Sequence, residues 1–217
     1  TRNWIVLSGS PALKLAVVAD DNTGATDAAG MAADSGLRTL FVPDGTRSPD
    51  QYAQSDLEAL VVGTQSRSVK PAQAQETTAR VYRYVATLEP ERVQFKFCST
   101  FDSTKEGNIG QGLDAAHGVF GFESAFVVPA LPVNGRTTYM GHHFVHGQLL
   151  SESSLRSHPV NPMTDANLVR WLGYQTEERV GLLSLAELLD GDQTIHERRS
   201  TLEHEGTRYI IADAVIQ

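Results

Sequence analysis

The stretch that decides the fold is LAVVADDNTGATDAAGMAADSG, residues 15–36, because it joins an apolar strand directly to a helix. The apolar run ends at Asp20 and Asp21, and the small residues after it predict a helix over 23–35 that Gly36 closes. Asp21 could cap this helix, but a cap accounts for only one of the two carboxylates. Adjacent carboxylates repel each other, so the pair indicates a cation or a hydroxyl-bearing ligand nearby.

The alternation of apolar strand and helix continues along the chain. The sequence predicts strands over 13–19, 38–42, 57–63, 93–97, 125–129 and 208–212. It predicts helices over 23–35, 71–88, 109–119, 165–175, 185–189 and 193–203. Continuous apolar strands between helices are typical of a sheet that is covered on both faces. We therefore expect an α/β fold, a three-layer sandwich with a mainly parallel, Rossmann-like sheet.

A segment rich in Pro, Gly, His and Ser, residues 129–165, interrupts this alternation. Residues 137–140 and 143–146 could pair as a short hairpin, so we expect a long inserted hairpin and loop region here. The histidines of this segment are His142, His143, His146 and His158. Their spacing with carboxylates is not typical of zinc ligands, so the sequence predicts no metal site.

Composition limits the classes of function. The 217 residues carry a formal net charge of −8, which argues against nucleic acid or an anionic membrane as a partner. No apolar run approaches the roughly 18 residues of a membrane span, and the first residues lack the layout of a signal peptide. Cys98 is the single cysteine, so no intrachain disulfide can form and a cytoplasmic location is expected. We expect residues 1–11 to be a leader or a remnant that precedes one domain over 12–217.

Polar clusters follow several predicted strands, at the position where ligands bind in open α/β sheets. They are DDNTG at 20–24, GTQSRS at 63–68, CSTFDSTKEGNIG at 98–110 and NGR at 134–136. Because the carboxyl ends of parallel strands meet at one edge, we expect Asp20, Arg67 and Asp102 to lie close together. Each has a structural alternative: Arg67 could be a solvated loop residue and Asp102 a cap, while Cys98 is best explained as a small buried apolar residue. Neither G-x-x-x-x-G-K-[ST] nor G-x-G-x-x-G is present after a strand, so no nucleotide site of a common type is predicted.

The motifs ADDNTGATDAA, TQSRS, KFCSTFDSTKEGNIG and VVPALPVNGRTTYMGHHFVHGQLL resemble, in order and spacing, the four-carbon acid sugar kinase family. The runs GRTTYMGHHFV and HPVNPMTDANLVRWLGYQT are most similar to its 3-oxo-tetronate kinase branch. The resemblance extends over residues 13–215 and implies the N-terminal, acid-sugar-binding domain of such a kinase. It also implies a C-terminal nucleotide-binding domain outside this chain, with ATP and Mg²⁺ serving the complete enzyme. On this reading, the domain alone binds neither tightly and has negligible kinase activity.

The resemblance implies a role for each residue that matches the family's motifs. The implied substrate contacts are Asp20, Asp21, Arg67, Ser99, Thr100, Phe101, Asp102, Ser103 and Arg136. Arg67 can take the substrate carboxylate with two hydrogen bonds, and either Asp20 or Asp21 can take the proton of the attacking hydroxyl. Two departures stand out: Asn22 replaces an apolar residue of the family, and Ser99–Thr100–Phe101 precede Asp102 where other branches have a Lys. The orientation of Lys96 therefore stays open.

Other functions account for less of the sequence. A haloacid-dehalogenase phosphatase needs Asp-x-Asp, but Asn22 stands at the second position after Asp20. A response-regulator domain has about half this length and leaves residues 134–165 unexplained. The main alternative is a stand-alone protein that binds or senses a sugar acid with the same residues and never meets ATP. The expected partners are thus a small sugar acid, a nucleotide-binding domain and further copies of the chain.

Overall fold

Strands and helices alternate along residues 13–43, 45 and 56–216, which are the residues that the computed structural model describes. The expected leader over 1–11 lies outside these residues. The strands are β1 Leu15–Ala19, β2 Thr39–Val42, β3 Ala59–Gly63, β4 Arg92–Lys96, β5 Ala125–Val127, β6 Arg136–Tyr139, β7 His142–Val145, β8 Gln148–Leu149, β9 Arg179–Leu183 and β10 Thr207–Ala212. The helices are α1 Asn22–Asp34, α2 Pro71–Thr87, α3 Ile109–Phe120, α4 Leu168–Gly173, α5 Leu185–Leu189 and α6 Asp192–His204.

The first sheet has the order β2-β3-β1-β4, and all of its strand pairs are parallel. Its central strands β1 and β3 are almost fully buried, because helices lie against both faces. Ala19 stands in register with Gly63 on one side and with Lys96 on the other. The loops that follow these three strands therefore leave the sheet side by side at one edge. This confirms the α/β fold with a parallel sheet.

The remaining parallel strands form a second sheet, with the order β5-β10-β9. The sequence predicted one mainly parallel sheet, whereas the edge strands β4 and β5 line a gap of about 520 Å³. Apolar side chains of both strands border this gap, including Phe95 and Phe126, together with Phe97 directly after β4. An apolar run indicates that a strand is buried but does not identify its neighbour, so the division could not be read from the sequence. β9 was not predicted at all.

The insertion forms a third, antiparallel sheet of β6, β7 and β8. The predicted hairpin is present, with each strand beginning one residue earlier than expected. Met140 and Gly141 form its two-residue turn, and both have a positive φ, of 49° and 70°, as a type I′ turn requires. The carboxylate of Asp213, directly after β10, accepts hydrogen bonds from the N–H groups of both turn residues. This carboxylate fixes the hairpin to the end of the second sheet.

Helices α3 and α4 meet where glycines permit a close approach. A Cβ atom at Gly110 would lie 2.5 Å from the backbone oxygen of Gln175, just after α4, so only glycine fits there. α4 begins at Leu168, three residues later than predicted, because the side chain of Asn167 caps it by accepting from the N–H of Arg170 at 3.0 Å. The largest apolar core joins these helices to the second sheet through Trp171 and Tyr209.

Candidate functional site

The site begins with the two aspartates at the end of β1. Asp21 is the N-cap of α1, since its Oδ1 accepts a hydrogen bond from the N–H of Gly24 at 2.8 Å. Its other oxygen, Oδ2, lies 2.9 Å from Nη1 of Arg67. The capping role that the sequence suggested is therefore present, and the same carboxylate also belongs to a charged cluster.

Arg67 is the centre of this cluster. Its Nε and Nη2 donate to the two carboxylate oxygens of Asp20, at 2.9 and 2.8 Å. Oδ2 of Asp102 lies 3.7 Å from Nη1 of Arg67. The loops after β1, β3 and β4 thus bring together Asp20, Arg67 and Asp102, which the sequence expected at one edge, and Asp21 joins them. Three carboxylates share one guanidinium, which leaves an excess of negative charge.

The pKa values of Asp20 and Arg67 in this cluster are shifted from their ordinary values. Only 3% of Asp20 is exposed, and burial raises its pKa from the ordinary value in spite of the hydrogen bonds from Arg67. Burial alone would lower the pKa of Arg67, but the hydrogen bonds and charge of Asp20 outweigh it, and the pKa of Arg67 is raised. Arg67 therefore stays charged and holds Asp20 in place.

The loop that carries Arg67 is fixed by buried polar groups. Nδ2 of Asn108, at the start of α3, donates to the backbone oxygens of Ser66 and Val69 at 2.6 and 2.8 Å. The hydroxyl of Thr64 donates to the oxygen of Ala19 at 2.8 Å. Gln65, which lies between Thr64 and Ser66, has a φ of 53°. This backbone conformation is rare outside glycine and often occurs at functional sites.

The loop from Ser99 to Ser103 is held by the insertion and by α4. Nε2 of His143 lies 2.8 Å from the oxygen of Ser99, and Nδ2 of Asn161 donates to Oδ1 of Asp102 at 2.8 Å. The side chains of Trp171 and Gln175 both donate to Oγ of Ser103. The inserted region therefore orients the loop that completes the cluster.

His143 joins this loop to the hairpin as a neutral side chain. It is fully buried, and burial lowers its pKa to about 4. Nδ1 of His143 lies 3.0 Å from the hydroxyl of Thr138. Since Nε2 faces a carbonyl oxygen, Nε2 carries the proton and Nδ1 accepts from the threonine.

A cavity of about 510 Å³ opens beside the cluster. Its polar wall contains Asp21, Thr23, Arg67, Lys96 and Ser99. Its apolar wall includes residues of β1, α1 and the segment after β5. A small molecule with both carbon–hydrogen surface and several polar groups fits such a lining.

The structure separates the nine predicted substrate contacts into two groups. Five face the cluster or the cavity: Asp20, Asp21, Arg67, Ser99 and Asp102. The other four have side chains engaged elsewhere. Phe101 and Ser103 are fully buried, Thr100 lies 3.1 Å from the sulfur of Cys98, and Arg136 bonds to the oxygen of Asn134. The roles of all nine residues in substrate binding stay predictions, and none of the latter four lines the cavity.

Sequence reasoning left the orientation of Lys96 open and missed the supporting residues Asn108, Asn161 and Gln175. The alternation RVQFKF over residues 92–97 carried the signal for Lys96, because in a strand it places the lysine on the face opposite Phe95 and Phe97. The amides gave no such signal, since their partners are backbone and side-chain atoms that lie far away in the sequence.

Two further properties concern the described part of the chain. It contains no group of three or more His, Cys, Asp or Glu side chains that could hold a metal ion. None of its helices is long and apolar enough to cross a membrane.

Residues 15–217 match the family model described as a sugar-binding N-terminal domain, so the chain belongs to that family. A curated relative from Pectobacterium atrosepticum, named 3-oxo-tetronate kinase, is 41% identical over 203 residues, which are 94% of this chain and 47% of the relative. A crystal structure of a Haemophilus influenzae protein from a family of unknown function has a TM-score of 0.85 at 39% identity, with 93% of this chain and 48% of that chain covered.

A third similar structure is a domain of unknown function from Bordetella bronchiseptica, solved as a domain-swapped dimer with bound citrate. It has a TM-score of 0.74 at 25% identity, and the match covers 93% of this chain and 47% of that one. This chain thus spans about half the length of the relatives that it matches.

Proposed function

We propose that this chain is the substrate-binding half of an ATP-dependent kinase. The complete enzyme would phosphorylate the terminal hydroxyl of a four-carbon sugar acid of the 3-oxo-tetronate, threonate or erythronate type. The observation that carries the proposal is the buried cluster of Arg67 with Asp20 and Asp21 at the wall of a cavity in a sugar-binding domain. The name of the relatives, 3-oxo-tetronate kinase, supports the substrate class and the reaction.

Asp20 and Asp21 have different surroundings, and this difference suggests different roles. Both oxygens of Asp20 bond to Arg67, and its side chain is almost fully buried. Asp21 is partly exposed and lines the cavity, and each of its oxygens keeps a free lone pair beyond its present hydrogen bond. We therefore assign Asp21 as the group that accepts the proton of the attacking hydroxyl, and Asp20 as the residue that holds Arg67.

ATP and Mg²⁺ belong, in this proposal, to the part of the kinase that this chain does not contain. The sequence has no phosphate-binding glycine loop, and the carboxylates nearest the cavity are already paired with Arg67. Phosphoryl transfer asks a protein mainly for positioning and charge stabilisation. This chain supplies the position of the sugar acid and the proton acceptor, and dependence on ATP supports a cytoplasmic location.

Two measurements test the proposal. Calorimetry on this chain should show saturable binding of threonate or erythronate and no strong binding of ATP. When the chain is mixed with a separately produced nucleotide-binding half of a relative, kinase activity should appear. Asp21→Asn should then lower kcat by about 100-fold or more, because asparagine keeps the helix cap but takes no proton. Asp34→Asn, at the exposed far end of α1, is the matched control.

Absence of binding by every four-carbon sugar acid would contradict the proposed substrate class. Binding without any restored activity would instead favour a protein that only binds or senses the acid. Self-association, as seen in the Bordetella bronchiseptica relative, is a separate proposal that light scattering would test.

A further inference from the structure

We propose that Lys96, and not Arg67, binds the carboxylate of the sugar acid and selects acids over neutral sugars. This inference rests on the proposed function and deepens it. It starts from a comparison of the two cations that line the polar wall of the cavity, Arg67 and Lys96, by the carboxylates that each already contacts.

Three carboxylates already surround Arg67. Its Nε and Nη2 are bonded to Asp20, and its Nη1 faces both Asp21 and Asp102. A substrate carboxylate at this position would be a fourth anion around one cation, and like charges at such distances repel strongly in a buried site. The guanidinium is thus a structural counter-ion for the aspartates, which leaves the substrate anion without a partner there.

Lys96 has hydrogen-bond donors that none of the described carboxylates occupies. It is the last residue of β4, it is half-buried, and its Nζ donates to the backbone oxygen of Phe97 at 2.8 Å. An ammonium group has three donors, so two stay available. In the described part of the chain, Lys96 forms no ion pair. Carboxylates lie near Lys96, but none of those described holds it in an ion pair, so at the wall of a cavity it is a suitable partner for an anionic ligand.

Gly24 keeps this ammonium open to the cavity and close to Asp21. A Cβ atom at position 24 would lie 2.8 Å from Oδ1 of Asp21 and 3.1 Å from Nζ of Lys96. Both charged groups therefore lie close to the same point on the first turn of α1. The hydroxyls of Thr23 and Ser99 line the same wall and can donate to a bound carboxylate.

The resulting wall has a cationic and an anionic part. A sugar acid would place its carboxylate against Lys96 and its hydroxyls against Asp21, because carboxylates accept hydrogen bonds from hydroxyls. A polyol of the same length offers Lys96 only a neutral hydroxyl oxygen, which is a weaker acceptor for an ammonium group than a carboxylate. The structure thus predicts a preference for acids that depends on one lysine.

The test is a comparison of ligands and variants by calorimetry on this chain. The probes are threonate and erythronate against the uncharged polyols threitol and erythritol. Lys96→Met should weaken binding of the acids by about 10- to 100-fold, the usual effect of a lost hydrogen bond to a charged group, and should leave polyol binding within about twofold. Lys96→Arg should retain most of the acid preference. Lys14→Met removes a lysine at the opposite end of the first sheet and should change neither affinity.

Three results would overturn the inference. Unchanged acid binding by Lys96→Met would do so and would leave the proposed function intact. Equal losses for acids and polyols would show a distorted cavity and no recognition of charge. The unaltered chain could also fail to bind any acid, or fail to prefer acids over polyols. Either result would contradict both this inference and the proposed function on which it rests. Thermal melting checks that each variant is folded. If Lys96→Met does not fold, Lys96→Gln serves as a second neutral variant.

Discussion

Arg67 shows how one side chain can serve the structure and the site together. Its partner Asp20 is a carboxylate with almost no access to water, and such a group is tolerated only when it is paired. If Lys96 binds the substrate carboxylate, as we propose, this pairing is the reason that Arg67 does not. The sequence left open whether this arginine is a solvated loop residue or a substrate contact, because it contains the loop but not the distances within it.

Removal of Arg67 should therefore be costly for stability. Arg67→Met leaves the buried charge of Asp20 without a partner, and we expect a loss of about 3–5 kcal/mol in the free energy of unfolding. The double variant Asp20→Asn with Arg67→Met should recover part of this loss, since the amide carries no charge. Urea denaturation measures both. Arg170→Met breaks an exposed ion pair with Asp165 and should cost much less; equal costs at the two sites would contradict the argument.

His143 gives a prediction for pH dependence. Its pKa is lowered to about 4 in the folded chain, against about 6.5 when unfolded, so its contribution to stability is fully present above pH 6.5 and is lost as the pH falls towards 4. Across that window the unaltered chain should lose about 3 kcal/mol more than His143→Gln. Denaturation at several pH values measures the difference. The exposed histidine variant His196→Gln should keep the slope of the unaltered chain.

At the scale of elements, local patterns predicted most strands and helices but few of their partners. β1, β3 and α2 were predicted within two residues, because each combines an unbroken apolar pattern with a clear start or stop. β9 was missed, since RVGLL is short, contains a glycine and follows a charged segment. The hairpin was found, but the hydrogen bonds of Asp213 that fix it come from a residue some 70 positions away.

The glycines of α3 allow a paired test of packing against helix propensity. Gly110→Ala should destabilise the chain by about 1–3 kcal/mol, because the new methyl group meets the backbone of Gln175. Gly118→Ala lies in the same helix with no neighbour within 4 Å and should stabilise it by about 0.4–1 kcal/mol. Thermal melting of the two variants checks the signs. A gain from both would mean that α3 and α4 are not in close contact at Gly110.

For the molecule as a whole, the sequence predicted the fold class and the edge at which the charged residues meet. It could not predict that the parallel strands form two sheets, because hydrogen-bond partners between edges are not encoded by apolar runs. It also could not predict that the side chains of Phe101 and Ser103 are buried, since their burial depends on Trp171 and Gln175. Motif order therefore predicts which residues lie near one another, while packing decides which of their side chains face the cavity.

The gap between β4 and β5 has a consequence for cooperativity of unfolding. Each sheet keeps its own ladder of backbone hydrogen bonds, so the two halves should open as separate units in amide hydrogen exchange, with the outer amides of β4 exchanging before those of β1. The cavity, however, is lined from both sides of this gap, by Lys96 at the end of β4 and by Val128 and Asn134 after β5. A bound sugar acid would link the two units, and their exchange rates would then fall together.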